Sequence, residues 1–227
     1  GEKEGSAFLE TPVLSRHGDL WCEVLIVKAS FDVFFLLRPY PDVRFFSAWA
    51  SSQEPQLGYK SFSTEYELLT DFIHWWMIED NTPEVITGWN SKLYDIPYLC
   101  RRIDRILGEK LKKRMSPWGL VTEEETYIAG RKHISYDIGG VSQLDYLDLY
   151  KKFTYKAQES YRLDYIASVE LGQKKLDHSE FDTFKDFYTK GWQKFVEYNI
   201  IDVELVDRLE DKMKLIELAL TMAYDAK

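Results

Sequence analysis

Tyr198 and Asp202 lie four residues apart in Tyr198-Asn199-Ile200-Ile201-Asp202, so on a helix they share one face. Val196, Ile200 and Val203 flank them at positions expected to be buried. A carboxylate beside a buried face is costly unless it is paired or bound to a cation. The alternative puts Asp202 at the edge of the apolar stripe and makes Tyr198 a core aromatic. A second segment, Ile86-Thr87-Gly88-Trp89-Asn90 through Asp95-Ile96-Pro97-Tyr98, ends a strand at a glycine and places Asn90 and Asp95 where a helix begins. There the helix dipole favours an anion. The alternative reads Asp95 as an N-cap and Asn90 as a turn residue. A third segment, Ser6-Ala7-Phe8-Leu9-Glu10-Thr11, carries Glu10 on a strand, where a surface glutamate is the ordinary reading. Clustered carboxylates hold hard cations, and that is the chemistry these segments would share.

The elements that must position them follow from patterning. Residues 6–10, 23–29, 31–37, 44–50 and 84–89 read as strands from their β-branched and aromatic content. Residues 51–58 read as a loop. Thr64-Glu65-Tyr66-Glu67 is a capping-box sequence, and Leu68, Leu69, Phe72, Ile73 and Trp76 behind it recur at helical spacing. Residues 96–107 are helical with one apolar side. Residues 127–138 suggest a hairpin, and 141–147 a strand running into a helix near 148–153. A short helix is expected at 162–170, and 189–226 is helical throughout. The result is an α/β layered domain with a sheet covered by helices.

Composition fits this reading. The chain has 227 residues, 45% of them hydrophobic, and 7 Trp, 15 Tyr and 13 Phe can build a large core. No apolar run is long enough to span a membrane, and the first residues do not form a signal peptide. Cys22 and Cys100 are far apart, which argues against a disulfide framework or a structural zinc and fits a reducing compartment. The four histidines show no ligand spacing. The net charge of -9 argues against coating duplex DNA but not against acting on nucleic acid ends. Residues 101–114 carry seven basic against two acidic side chains, a track for a DNA backbone or a solvated helix face.

Taken together the segments resemble the proofreading exonuclease domain of family B DNA polymerases, of the T-even-like bacteriophage type. Gly88-Trp89-Asn90 with Tyr94-Asp95-Ile96-Pro97-Tyr98 is similar to the second exonuclease motif, and Tyr198-Asn199-Ile200-Ile201-Asp202-Val203 to the third. Leu144-Asp145-Tyr146-Leu147-Asp148-Leu149-Tyr150-Lys151-Lys152-Phe153, Ile106-Leu107-Gly108-Glu109 and Met222-Ala223-Tyr224-Asp225-Ala226-Lys227 also resemble the phage enzymes. The resemblance implies a ribonuclease-H-like fold, with a mixed central sheet flanked by helices and an inserted β-hairpin. It implies one 3′–5′ exonuclease domain over 1–227, without palm, fingers or thumb, acting on a single-stranded DNA 3′ end in the cytoplasm of an infected host. Two divalent cations, Mg²⁺ or Mn²⁺, would be held by Glu10, Asp95 and Asp202. Tyr198 would orient the attacking water, which is the tyrosine subclass, and Asn90 would touch substrate. The remaining polymerase domains are the expected partners, and a membrane is not.

The first motif departs from the family's Asp-x-Glu-Thr. Without a gap, Phe8 stands where the Asp belongs; with a two-residue gap after Leu9, the Asp-x pair is missing. Glu10 survives in both registers. The expectation therefore divides between an active exonuclease and an inactive module that binds a 3′ end or supports a polymerase structurally.

Overall fold

The computed structural model describes residues 23–28, 32–37, 45–51, 54–62, 64–78, 82–128, 130–172 and 191–226. The strand expected at 6–10, with Glu10, and most of the polar connection after Gly172 lie outside them. Strands β1 (Glu23–Lys28), β2 (Asp32–Leu37), β3 (Phe45–Ser51) and β4 (Glu54–Phe62) form an antiparallel meander. Helix α1 (Glu65–Trp76) follows, then β5 (Val85–Gly88). β5 pairs antiparallel with β1, and β8 (Ser142–Asp145) pairs parallel with β5, giving a mixed sheet of order β4-β3-β2-β1-β5-β8.

The crossover between the parallel strands contains α2 (Asp95–Leu107), the short α3 (Glu109–Lys112) and a hairpin of β6 (Val121–Ile128) and β7 (Arg131–Ile138). Behind β8 come α4 (Tyr146–Phe153), α5 (Leu163–Leu171), α6 (Trp192–Met213) and α7 (Leu215–Asp225). This is the mixed, helix-flanked sheet with an inserted hairpin of a ribonuclease-H-like fold.

Two apolar clusters hold the helices to the sheet. The first joins α1 to α2 through Leu69, Phe72 and Trp76 against Ile96, Leu99 and Ile103, with Ile86 of β5. The second joins α4 and α5 to α6 through Tyr146, Tyr150 and Ile166 against Leu205, Val206 and Leu209, with Leu144 of β8 packed on it. Leu144 is the register partner of Thr87, and neighbours on a strand point to opposite faces. Ile86 and Leu144 therefore face opposite ways, and the two clusters lie on opposite sides of the sheet. β5 is buried at all four positions, as expected of a strand covered on both faces.

Local chemistry explains the ends. The expected capping box is present: Glu67 N–H donates to Thr64 Oγ1 at 3.2 Å and Thr64 N–H to Glu67 Oε2 at 3.3 Å. The Trp76 indole N–H donates to the Met115 carbonyl at 2.9 Å, so its polar edge is satisfied inside the core.

Three expectations are corrected. Residues 51–58 are not a loop, because β4 occupies 54–62. Pro55 and Gly58 lower its apparent strand character, but β4 is an edge strand paired on one side by β3, where proline is tolerated. The hairpin begins at Val121 rather than near 127; the polar Thr122 to Thr126 has no apolar period, and pairing with β7 makes it a strand. The helical stretch 189–226 is two helices. Lys214 takes φ +55°, and the Glu210 carboxylate accepts the N–H groups of Ile216 at 3.0 Å and Glu217 at 3.3 Å, which caps α7. No Gly or Pro marks that break, so periodicity cannot show it.

Gly140, at φ +87° between β7 and β8, is a position where a side chain does not fit: a Cβ there would stand 2.6 Å from Pro117 Cγ. Gly140→Ala should lower unfolding free energy by about 1–3 kcal/mol in urea denaturation. A change within error would show that the turn relaxes freely.

Candidate active site at the ends of β5 and β8

Ligand sites in sheets of this kind gather beyond the carboxyl ends of parallel strands. Here those ends are Gly88 and Asp145, which are register partners. After Gly88 the chain makes a turn through 89–94 and enters α2. Asn90 has φ +67°, a left-handed conformation that asparagine tolerates better than most side chains. Tyr94 N–H donates to the Asn90 carbonyl at 3.2 Å, and Ile96 N–H to the Ser91 carbonyl at 3.0 Å. Asn90 is thus the turn residue allowed by the sequence. Asp95 is not the N-cap: Tyr94 holds that position, and Asp95 is the first residue of α2, 8% exposed. Its carboxylate stands in the positive end of the helix dipole.

The turn is anchored twice. The Trp89 indole N–H donates to the Tyr161 carbonyl at 3.0 Å, and its ring packs near Tyr146 and Tyr150 of the second cluster. Asp145 supplies the other anchor. Its Oδ1 accepts Asn90 N–H at 3.1 Å and Leu147 N–H at 3.0 Å; its Oδ2 accepts Lys92 N–H at 3.0 Å. One buried carboxylate therefore serves three backbone donors, one opening α4 and two in the turn. Sequence reasoning assigned Asp145 no role. The available signal was an Asp between a strand and a helix, the ordinary N-cap pattern.

Tyr198 and Asp202 stand one turn apart on α6, both half-buried, as their spacing requires. Val203 beside them is buried. Both α2 and α6 pack against β1, the strand next to β5. Structure thus pairs Asn90 with Asp95 on one segment and Tyr198 with Asp202 on another. Among the described residues no three His, Cys, Asp or Glu side chains converge to share a metal ion. Glu10, expected to be the third carboxylate, lies outside the described residues.

A cleft of about 520 Å³ adjoins the turn, lined among others by Lys92, Trp118, Tyr136 and Gln143. The basic run 101–114 is engaged partly within the fold. Arg102 forms a bidentate ion pair with Glu65 that ties α2 to α1; Lys112 pairs with Asp104 at 2.8 Å and Lys113 with Glu109 at 2.9 Å. Burial pushes the Cys100 thiol up to about 12, so it is no nucleophile at neutral pH.

Burial raises the Asp145 pKa; the backbone donors, Lys92 N–H foremost, oppose this, and the nearby Asp148 charge adds to it. A carboxyl whose folded pKa exceeds its unfolded one contributes stability below the unfolded value and loses it as pH rises through the folded value. Asp145→Asn removes this titration. Urea denaturation at neutral pH and at about pH 4 should show the stability difference between wild type and Asp145→Asn moving in favour of wild type at the lower pH. A constant difference would contradict the raised value.

Comparison with known proteins matches residues 37–166 to the model of the DNA polymerase family B exonuclease domain. The DNA-directed DNA polymerase of Escherichia phage RB69 is 39% identical over 171 residues, 74% of this chain and 18% of that protein. That of Enterobacteria phage T4 is 39% identical over 170 residues, with the same coverage. The DNA polymerase catalytic subunit of Human herpesvirus 6A is 33% identical over 155 residues, 65% of this chain and 15% of that protein. The chain spans less than a fifth of the length of these relatives. A matching family model over more than half the chain, on a sheet of this topology, makes it a member of the family B DNA polymerase exonuclease domains, with phage-type relatives.

Proposed function

We propose that the chain is a 3′–5′ exonuclease domain, read as one unit over 1–227, that hydrolyses the terminal phosphodiester of single-stranded DNA. The observation that carries this is the shared helix face of Tyr198 and Asp202, with Asp95 opening α2 at the carboxyl ends of the parallel strands, in a chain of this family. The remaining domains of a polymerase are its natural partners, in the cytoplasm of an infected host. No described helix is long and apolar enough to cross a membrane.

The donor set is all oxygen, which suits Mg²⁺ or Mn²⁺. Asp95 and Asp202 supply two carboxylates from the described residues, and Glu10 supplies the third. Two such ions, when bound, stabilise the attacking and leaving oxygens of a phosphodiester. The chain's own side chains do the rest. The Tyr198 hydroxyl, one turn from Asp202, holds a water by hydrogen bonding, which defines the tyrosine subclass. Asn90, beyond β5, meets the substrate strand. The dipole of α2 favours negative charge at Asp95, where a cation would be held.

A second reading is specifically favoured by the first motif. Phe8, or a gap, stands where the family carries an Asp. Without that carboxylate the chain would hold a 3′ end without cleaving it.

A labelled single-stranded oligonucleotide with Mg²⁺ or Mn²⁺ separates the two. Shortening from the 3′ end supports the first reading, and Asp202→Ala and Asp95→Ala should each then slow it at least about 100-fold, near 2.7 kcal/mol of transition-state stabilisation. Tyr198→Phe should slow it about 10- to 100-fold. Binding in EDTA with no cleavage in Mn²⁺ establishes the second reading, and unchanged cleavage in Asp202→Ala removes that residue from the site.

A further inference from the structure

We propose that Asp145 is a positioning residue for the DNA 3′ end: its carboxylate fixes the turn that presents Asn90 and leads to Asp95, a role that rests on the exonuclease-site reading above.

The argument begins with what α4 needs. An N-cap requires one acceptor for one N–H, and Ser, Asn or Asp serves almost equally well. Burying a charged carboxylate for that purpose alone is wasteful, because an ionised group loses its hydration. Asp145 is 5% exposed, and it does more than cap. Its two oxygens accept three N–H groups, and two of these, on Asn90 and Lys92, belong to a turn more than fifty residues away in sequence. An ionised carboxylate is acceptor-only and has lone pairs for all three. Asparagine in its place would aim an N–H₂ group at Lys92 N–H. Serine would keep the cap but has a single short oxygen. The carboxylate is therefore demanded by the turn, not by the helix.

The turn requires such a clamp. Asn90 sits at φ +67°, a left-handed conformation that asparagine visits, and fixed hydrogen bonds hold it there in one place. The clamped amides bracket Ser91, which is buried, and Asp95 follows three residues after Lys92. Gly88 and Asp145 are register partners, so the parallel pairing delivers the clamp to the turn. Releasing it frees the Asn90 backbone and loosens the approach to Asp95.

The test uses the full chain and three variants. Asp145→Ser keeps the α4 cap and removes the span to the turn; Asp145→Asn removes the Lys92 contact alone. Thr64→Ala, which deletes the α1 cap on another element, serves as the control for losing a helix cap. Three readouts are taken: melting temperature, amide exchange at Asn90 and Lys92, and affinity for a labelled single-stranded oligonucleotide with a free 3′ end in EDTA. Asp145→Ser should speed exchange at both amides and weaken affinity about tenfold, with Asp145→Asn intermediate. Thr64→Ala should leave both unchanged. Equal loss of affinity in Thr64→Ala and Asp145→Ser would reduce Asp145 to a stability element and overturn the proposal, as would unchanged affinity in Asp145→Ser. A wild-type chain that fails to bind the oligonucleotide overturns the exonuclease-site reading itself, and the amide exchange then separates that failure from a failure of the clamp.

Discussion

The register of β5 on β8 is the constraint from which the rest of the site follows. Parallel strands cannot be joined by a tight turn, so the chain between them must leave the sheet and return. Here it leaves through the Asn90 turn and α2, and returns through the hairpin. Pairing Gly88 with Asp145 then brings two loop beginnings side by side at one edge of the sheet. Each has open backbone N–H groups: one begins α4, and the other is the turn that precedes α2. A single carboxylate between them answers three of those donors.

The two clusters have different duties around this edge. The first holds α2, and with it Asp95, against the sheet through Ile96, Leu99 and Ile103. The second holds α6, and with it Tyr198 and Asp202, through Leu205, Val206 and Leu209. Trp89 links the Asn90 turn to the second cluster even though α2 belongs to the first. The turn is thus tied to both.

Much of this was legible in the sequence, for physical reasons that differ by element. The period of Leu68, Leu69, Phe72, Ile73 and Trp76 announced α1, and Thr64 and Glu67 marked where it starts. The spacing of Tyr198 and Asp202 foretold their common face. β4 was hidden because an edge strand draws its order from its neighbour's backbone and needs little from its own side chains. The break at Lys214 was hidden because its cap, Glu210, comes from the preceding helix, where a glutamate looks ordinary. Asp145 was hidden for a related reason: N-cap chemistry is local, whereas its bonds to Asn90 and Lys92 exist only after the parallel pairing has formed.

Helices α2 and α6 both reach β1, so that one strand is the shared support of the carboxylates they carry. Such a support acts as a caliper. An enlarged side chain beneath either helix would shift the jaw it carries without touching an acidic group. Residues far from the carboxylates thereby acquire leverage over their separation.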